Sequence, residues 1–283
     1  STVVQGTGHA WFHDAGGTSW FTGPCAIFEA GTHLVQLGHF LPLIKHYVEG
    51  NIPGKDFLVR QYESFHPPSV PADTNPCYVV THEYRNGALD ADGVVVIDDY
   101  QTETGLSVSS SGCSVTYNVS SIVEGRLDDN NSSFSWTSSD PFNGATQAGP
   151  TDTSRGVVFT YDGDEYYEWE VCPAERDFSD NLYVSFRGAQ GTQHPFTLSP
   201  LDDQVFAISL RDENEVTSTI SIGAYGGGLE QPYQRSGGWH NEMERIRIRI
   251  TDFLANGSGL DLTAIEAVRL ELGPTWGNEN GRI

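Results

Sequence analysis

The stretch ERIRIRIT, residues 244–251, decides the fold, because charged and branched apolar residues alternate through it without a break. A β-strand turns successive side chains to opposite faces, so a period of two predicts a strand with one buried and one exposed face. The buried face receives Ile246, Ile248 and Ile250, and the exposed face receives Arg245, Arg247 and Arg249.

Most of the chain from residue 93 onward follows the same period. Polar turn clusters separate the segments, and only a short helical turn near 261–265 interrupts the pattern. Strands without crossover helices predict a mainly β protein, an antiparallel β-sandwich of the jelly-roll type. The predicted strands are VVVIDDY (94–100), SVTYNV (114–119), GVVFTYD (156–162), YYEWEV (166–171), LYVSFRG (182–188), VFAISLRD (205–212), TSTISIGAY (217–225), ERIRIRIT (244–251) and AVRLELG (267–273).

Residues 1–52 predict a small α/β segment that consists of a strand, a loop and a helix. The helix is expected to begin at an N-cap, Thr32, and to end at Gly50. Its apolar residues recur at spacings of three and four, so they share one face, and one short strand is too little to bury that face. This face comprises Leu34, Leu37, Leu41, Ile44 and Val48.

Residues 53–92 predict a Pro-rich connector. Five prolines, at positions 53, 67, 68, 71 and 76, favour extended and turn conformations over helix or sheet.

Charge and cysteine content restrict the function. Fifteen basic against 38 acidic residues give a net charge of −23, which repels phosphate backbones and argues against nucleic-acid binding. No apolar run reaches the roughly 18 residues of a membrane span.

Four cysteines without a CxxC motif predict two disulfides and a secreted protein. Of the three possible connectivities we favour Cys25–Cys77 with Cys113–Cys172.

The beginning of the chain resembles the C-terminal part of a secreted α/β-hydrolase. VVQGTGH (3–9), followed by HLVQLGHFLPLIKHYVEGN (33–51), is similar to that family's last strand, catalytic-histidine turn and final helix. The resemblance implies that His9 is the base of a Ser-His-Asp triad whose nucleophile lies in a segment before residue 1. The partner would be the N-terminal portion of the same precursor or a neighbouring subunit. The alternative is that His9 is a structural histidine after a tight turn.

Residues 93–283 resemble the galactose-binding-like jelly rolls that occur as carbohydrate-binding modules. The resemblance is carried by VVVIDDYQ, YYEWEV, FAISLRD and RIRIRITDF. It implies an accessory domain that binds glycan or polymer, or that packs on a catalytic domain. The alternatives are a non-enzymatic extracellular surface, matrix or filament subunit, and a free-standing lectin-like module.

Sugar recognition needs aromatic faces for stacking and planar polar groups for hydroxyls. The glycine-rich loop 224–242 and a Gly-flanked tryptophan supply both, although these aromatic side chains could also fold back over the end of the sandwich. The candidate ligand-binding residues are Tyr225, Tyr233, Arg235, Trp239, Asn241, Glu242 and Trp276.

Two further groups of charged residues, one basic and one acidic, could bind a ligand. The arginines of 244–251 could bind an acidic polysaccharide bidentately, or pair across strands with Asp or Glu. Acidic pairs at 98–99, 128–129 and 202–203 and DGDE at 162–165 supply oxygen ligands for a structural Ca²⁺, without the EF-hand pattern. No other cofactor is predicted, and the histidines of the first half are expected to be structural.

Overall fold

A computed structural model describes residues 2–4, 28–59, 80–82, 94–101, 105–127, 138, 142, 155–191, 194–196, 203–224, 228–229, 233–235, 238–240 and 244–283. Only the backbone is described at 2–4, 28, 55–57, 59, 80–82, 233–235, 238–240 and 244. The chain divides into two units, Ser1–Asn86 with Tyr233–Gly238, and Gly87–Pro232 with Trp239–Ile283.

The N-terminal unit contains the predicted strand and helix. Strand β1 (Thr2–Val4) pairs antiparallel with β2 (Val80–His82). Helix α1 (Phe28–Glu49) begins earlier than predicted, so Thr32 is buried inside it and is not its N-cap. The helix ends as predicted, because Gly50 has a φ of 68° and donates its N–H to the His46 carbonyl oxygen at 3.0 Å.

A second helix, α2 (Ile52–Val59), occupies the start of the segment that we predicted to be a connector. The Asn51 side-chain oxygen accepts the Gly54 N–H at 2.9 Å, which caps the first turn. Pro53 fits this turn because a helix leaves its first N–H groups without intrahelical partners. The sequence Asn51-Ile52-Pro53 therefore marks the start of a helix.

The apolar face of α1 is exposed. Leu37 keeps 65% of its surface, Ile44 52% and Val48 78%, whereas Val35 is buried to 3%. His39 is buried as well, and its Nδ1 donates to the Val35 carbonyl oxygen at 2.7 Å, the structural role expected for it. The face predicted to need a partner surface therefore meets solvent.

The second unit is the predicted antiparallel β-sandwich. Its elements are β3 (Val115–Tyr117), β4 (Ser120–Arg126), β5 (Arg155–Asp162), β6 (Glu165–Glu170), β7 (Tyr183–Gly188), β8 (Ala207–Asp212), β9 (Thr217–Ser221), β12 (Glu244–Arg249), α3 (Ile250–Ala255), β13 (Ile265–Leu272) and β14 (Asn280–Arg282). One layer is a five-stranded sheet in the order β3-β6-β13-β8-β9, and the other contains β14-β5-β4 and the pair β12-β7. Gly191, just after β7, donates its N–H to the Arg282 carbonyl oxygen of β14 at 3.0 Å, which places β7 beside β14. A separate two-stranded pair consists of β10 (Tyr233–Arg235) and β11 (Gly238–His240).

The core lies between the two layers and is rich in aromatic rings. Phe159 of β5 stacks on Tyr167 of β6 with ring centroids 5.8 Å apart, and Phe186 of β7 lies at the same distance from Phe206. The predicted alternation of β12 is confirmed, since Ile246 and Ile248 keep 4% and 0% of their surface whereas Arg249 is exposed. These contacts between layers confirm the mainly β fold class.

Residues 94–100 were predicted to be a strand, and this prediction is wrong. The Asp98 carboxylate accepts the N–H groups of Tyr100 and Ser110 at 3.0 and 3.2 Å and the indole N–H of Trp169 at 3.0 Å. An aspartate that bonds the backbone two residues ahead favours a bend over a strand. Burial raises the pKa of this carboxyl, and its three donors oppose that shift.

The predicted disulfide Cys113–Cys172 is confirmed, with the two Cα atoms 5.5 Å apart. Cys25 and Cys77 lie outside the described residues, so their pairing stays a prediction. No helix within the described ranges is long and apolar enough to cross a membrane.

Candidate functional site

Of the predicted site residues, only Trp276 has a described side chain. Tyr233, Arg235 and Trp239 lie on the two-stranded pair, Tyr233 and Arg235 in β10 and Trp239 in β11, with only their backbone described. The remaining predicted site residues lie outside the described ranges: His9, Tyr225, Asn241 and Glu242.

Trp276 is half-buried on the turn between β13 and β14, which we call the Trp276 turn (residues 273–279). The backbone N–H of Trp276 donates to the Gly273 carbonyl oxygen at 2.9 Å. The preceding Thr275 donates its N–H and its hydroxyl to the Asp164 carboxylate at 3.0 and 2.6 Å. These bonds hold the pKa of Asp164 below its usual range. A turn with this many anchors has few backbone conformations to lose on binding.

The other side of the Trp276 turn is anchored to the segment before β8. Asn278 donates its N–H to the Val205 carbonyl oxygen at 2.9 Å and accepts the Val205 N–H with its side-chain oxygen. A β-carbon on Gly277 would lie 2.0 Å from the same carbonyl oxygen, so this approach requires glycine. The turn is thus held against two neighbouring segments.

The glycine-rich loop begins at this same end of the sandwich. Gln204 and Leu229 exchange both backbone hydrogen bonds, at 2.7 and 2.8 Å, and Ile222 donates to the Phe206 carbonyl oxygen at 2.9 Å. The described segments on either side of Tyr225 therefore lie beside the strand segment that anchors the Trp276 turn. Beneath them, the buried Gln204 side-chain amide donates to the Tyr161 hydroxyl and the Asn280 carbonyl oxygen.

Glu165 was predicted only as one of the acidic residues of DGDE (162–165) that could hold Ca²⁺, and the structure makes it a candidate for a different role. It opens β6 directly opposite Leu272, the residue before the Trp276 turn. Its Oε2 is buried without a hydrogen-bond partner among the described residues, and burial raises the pKa of its carboxyl. Because this oxygen is buried, a ligand hydroxyl can donate to it only where the side chains that cover it move aside. The position of Glu165 beside the Trp276 turn follows only from the register of the β6–β13 pair.

The second candidate surface is the outer face of β7 and β12, which we call the arginine face. It comprises Arg187, Arg245, Arg247 and Arg249 together with Tyr183 and Ser185. Arg245 Nε donates to the Ser185 hydroxyl at 2.9 Å, and the Arg247 guanidinium lies 5.1 Å from the Tyr183 ring centroid. Arg249 Nε lies 3.4 Å from an Asp252 carboxylate oxygen.

The residues directly opposite these arginines in the β7–β12 register are not Asp or Glu, and their pairing with acidic side chains of other segments stays a prediction. Arg245 lies opposite Arg187, Arg247 opposite Ser185 and Arg249 opposite Tyr183. The sequence did not reveal this, because Arg187 belongs to a strand some sixty positions earlier and pairs only in the tertiary structure.

The outer face of the five-stranded sheet carries a different network, in which opposite charges satisfy one another. Glu168 lies 3.3 Å from Arg211 and 3.7 Å from Arg269, and Arg269 also stacks 3.9 Å above the Tyr166 ring centroid. Glu271 accepts the Ser209 hydroxyl at 3.0 Å.

The described residues do not fit the calcium site that the acidic loops allowed. They contain no group of three or more His, Cys, Asp or Glu side chains placed to hold a metal ion. Asp98 and Asp164 instead use their carboxylates as acceptors within the chain. The pair at 128–129 lies outside the described residues.

Comparison with known proteins adds little to this geometry. No protein-family model and no curated protein matches the chain. A solved structure similar to it is the family 30 carbohydrate-binding module of a cellulosomal cellulase of Clostridium thermocellum, with 11% identity and a TM-score of 0.30. The similarity covers 56% of this chain and 92% of that chain. At this TM-score it carries no argument, so the case for a ligand site is the one made by the contacts above.

Proposed function

We propose that the β-sandwich is a glycan-binding module of an extracellular protein. The observation that carries the proposal is Trp276, a half-buried indole on a turn anchored to Asp164 and Val205 at the end of the sandwich where the glycine-rich loop begins. An indole on a turn held in this way can present a flat apolar surface on which a pyranose stacks. Glu165, and Tyr225 and Asn241 of the loop, are the polar and aromatic groups proposed to complete the site.

Replacement of Trp276 tests this proposal. We expect Trp276→Ala to weaken glycan binding at least tenfold, because the stacking surface is lost, whereas Trp276→Phe should keep most of the affinity. Binding is measured by affinity electrophoresis in a panel of soluble neutral and acidic polysaccharides. Equal mobility of the wild type and Trp276→Ala in every glycan that retards the wild type would exclude this end of the sandwich. Failure of the wild type to bind any glycan would overturn the function itself.

The extracellular location is supported by the Cys113–Cys172 disulfide, since structural disulfides persist in oxidising compartments. Secretion is part of the same proposal.

The exposed apolar face of α1 favours a second candidate, the C-terminal part of a serine-hydrolase-like protein. Leu37, Ile44 and Val48 together leave an apolar surface open, as a helix would that packs on an N-terminal portion of the same precursor. His9, the proposed base, lies outside the described residues. Purification from the native source should yield a second polypeptide with a nucleophilic serine. A chain that purifies alone would count against this candidate.

A further inference from the structure

Helix α1 is apolar on two sides, and only one of them is covered. The covered side carries Val35, which is buried, and it receives α2, since a β-carbon on Gly54 would lie 2.8 Å from the Pro42 carbonyl oxygen. The other side carries the apolar face defined above, which Phe40 and Tyr47 widen, and all seven of these side chains are exposed. A helix that is apolar all round is normally buried on every side. The outer side of α1 is therefore expected to meet another apolar surface.

The area of this outer side is sufficient for a stable interface. Its seven apolar side chains keep between 40% and 78% of their surface. At roughly 180 Å² for each side chain, they expose about 700 Å² per copy, more than the 300–600 Å² of the largest apolar patch on a typical monomer. Two such faces packed together would bury roughly 1,400 Å², within the range of about 1,200–2,000 Å² that stable protein–protein interfaces bury.

Among the residues that the structure describes, no other element presents an apolar surface of this kind. Of the fourteen large apolar side chains that the described residues leave exposed, nine lie on α1 and at the start of α2. The other five are distributed over four separate segments. The complementary surface that the described part of the protein supplies is therefore the same face of a second copy. Two copies can meet there in the closed two-fold arrangement that is commonest among oligomers.

Spacing and charge both suit the pairing of two α1 helices. The apolar residues recur at intervals of three and four from Leu34 to Val48, which are the intervals of the seam along which two helices pack side by side. None of the seven side chains is charged, so no like charges would meet in the seam. Residues 1–85 contain four basic and seven acidic residues, whereas the whole chain has a net charge of −23. Two copies of this acidic protein therefore repel each other least through the segment that contains α1.

We infer that the apolar face of α1, with Phe40 and Tyr47, is the contact surface of a homodimer. This inference goes beyond the proposed glycan-binding function and does not depend on it. It competes with the second candidate function, in which a different polypeptide covers the same face. Salt screens charges that lie farther apart than about 8 Å at physiological ionic strength. Because the two chains are both acidic, the dimer should become tighter as salt is added.

Sedimentation equilibrium of the whole chain tests the inference. Interfaces of this size have dissociation constants of micromolar or below, so the wild type should sediment at twice the mass of one chain at roughly 20 μM. The double variant L37E/I44E should weaken the dimer at least a hundredfold, because it places charges in the apolar seam. The control L182E/L254E adds the same two charges at exposed leucines outside α1 and should dimerise like the wild type.

A charge-swap experiment guards against a loss of fold. The variants L37E/I44E and L37K/I44K should each sediment as monomers, and an equal mixture of them should form a dimer. A two-fold interface brings the same surface of both copies together, so opposite charges then attract each other across it. Misfolded variants would not regain association in this way, and an equal mixture of two folded variants that stays monomeric would contradict the pairing of like faces.

Three further results would overturn the inference. The first is a wild type that stays monomeric at this concentration, and the second is a dimer that L37E/I44E leaves intact. The third is a dimer held by an intermolecular disulfide of Cys25 or Cys77, which a non-reducing denaturing gel would reveal. Each of these results would leave the proposed glycan-binding function intact, because that function is tested separately by Trp276→Ala.

Discussion

Replacing Cys113 and Cys172 with alanine is expected to lower the free energy of unfolding by about 4 kcal/mol. The disulfide joins residues 59 positions apart, and a cross-link of that length removes considerable chain entropy from the unfolded state. Cys113 precedes β3 and Cys172 follows β6, and these two strands are hydrogen-bonded neighbours. The bond therefore also fastens β3, the edge strand of the five-stranded sheet.

Urea unfolding with and without reductant measures this effect. Reductant should destabilise the wild type by at least as much as the double substitution does. The double variant in reductant serves as the control, since any further loss reports the predicted Cys25–Cys77 pair. Equal unfolding midpoints for the wild type and the double variant without reductant would contradict the stabilising role of the Cys113–Cys172 bond.

Gly273→Ala is expected to destabilise the sandwich by about 3 kcal/mol, because two costs add. Gly273 has a φ of 100°, which residues with a side chain adopt at a cost. A β-carbon there would also lie 2.2 Å from the Gly163 carbonyl oxygen, so the two turns would have to separate. Because Gly273 begins the Trp276 turn, the folded fraction should also bind glycan more weakly.

Gly259→Ala is the matched control for the backbone cost. Gly259 has a φ of 79°, and a β-carbon there would meet nothing within 4 Å. It should therefore lose only about 1 kcal/mol, and glycan affinity should not change. Equal losses of stability in the two variants would mean that the close contact between Gly273 and Gly163 adds nothing to the cost of the substitution.

The faces of the strands were predictable from local sequence. Ile248 is fully buried and Arg249 is exposed, as the period of two in ERIRIRIT requires. The same pattern failed at 94–100, because it counts apolar residues and takes no account of an aspartate that captures nearby N–H groups. It also missed β4, SSIVEGR, whose few apolar residues do not alternate with polar ones over its length.

The candidate site was only partly predictable. Trp276 stood out because glycine flanks it and a large aromatic residue on a turn has few structural roles. Glu165 was considered only as a Ca²⁺ ligand, because its position beside the Trp276 turn follows from its pairing with Leu272, a residue more than a hundred positions later. The acceptor capacity that remains at its carboxylate depends on which neighbours the fold supplies.

By itself the sequence determined that the second half is an antiparallel β-sandwich and which side of β12 is buried, and it favoured Cys113 as the partner of Cys172 among three possible connectivities. All three depend on alternation or on cysteine number and order along the chain. Only the tertiary structure decided that Arg187 faces Arg245 and that Gly273 meets Gly163. Strand register and turn contacts are set by the packing of segments distant in sequence, and many alternative pairings satisfy the same alternating pattern.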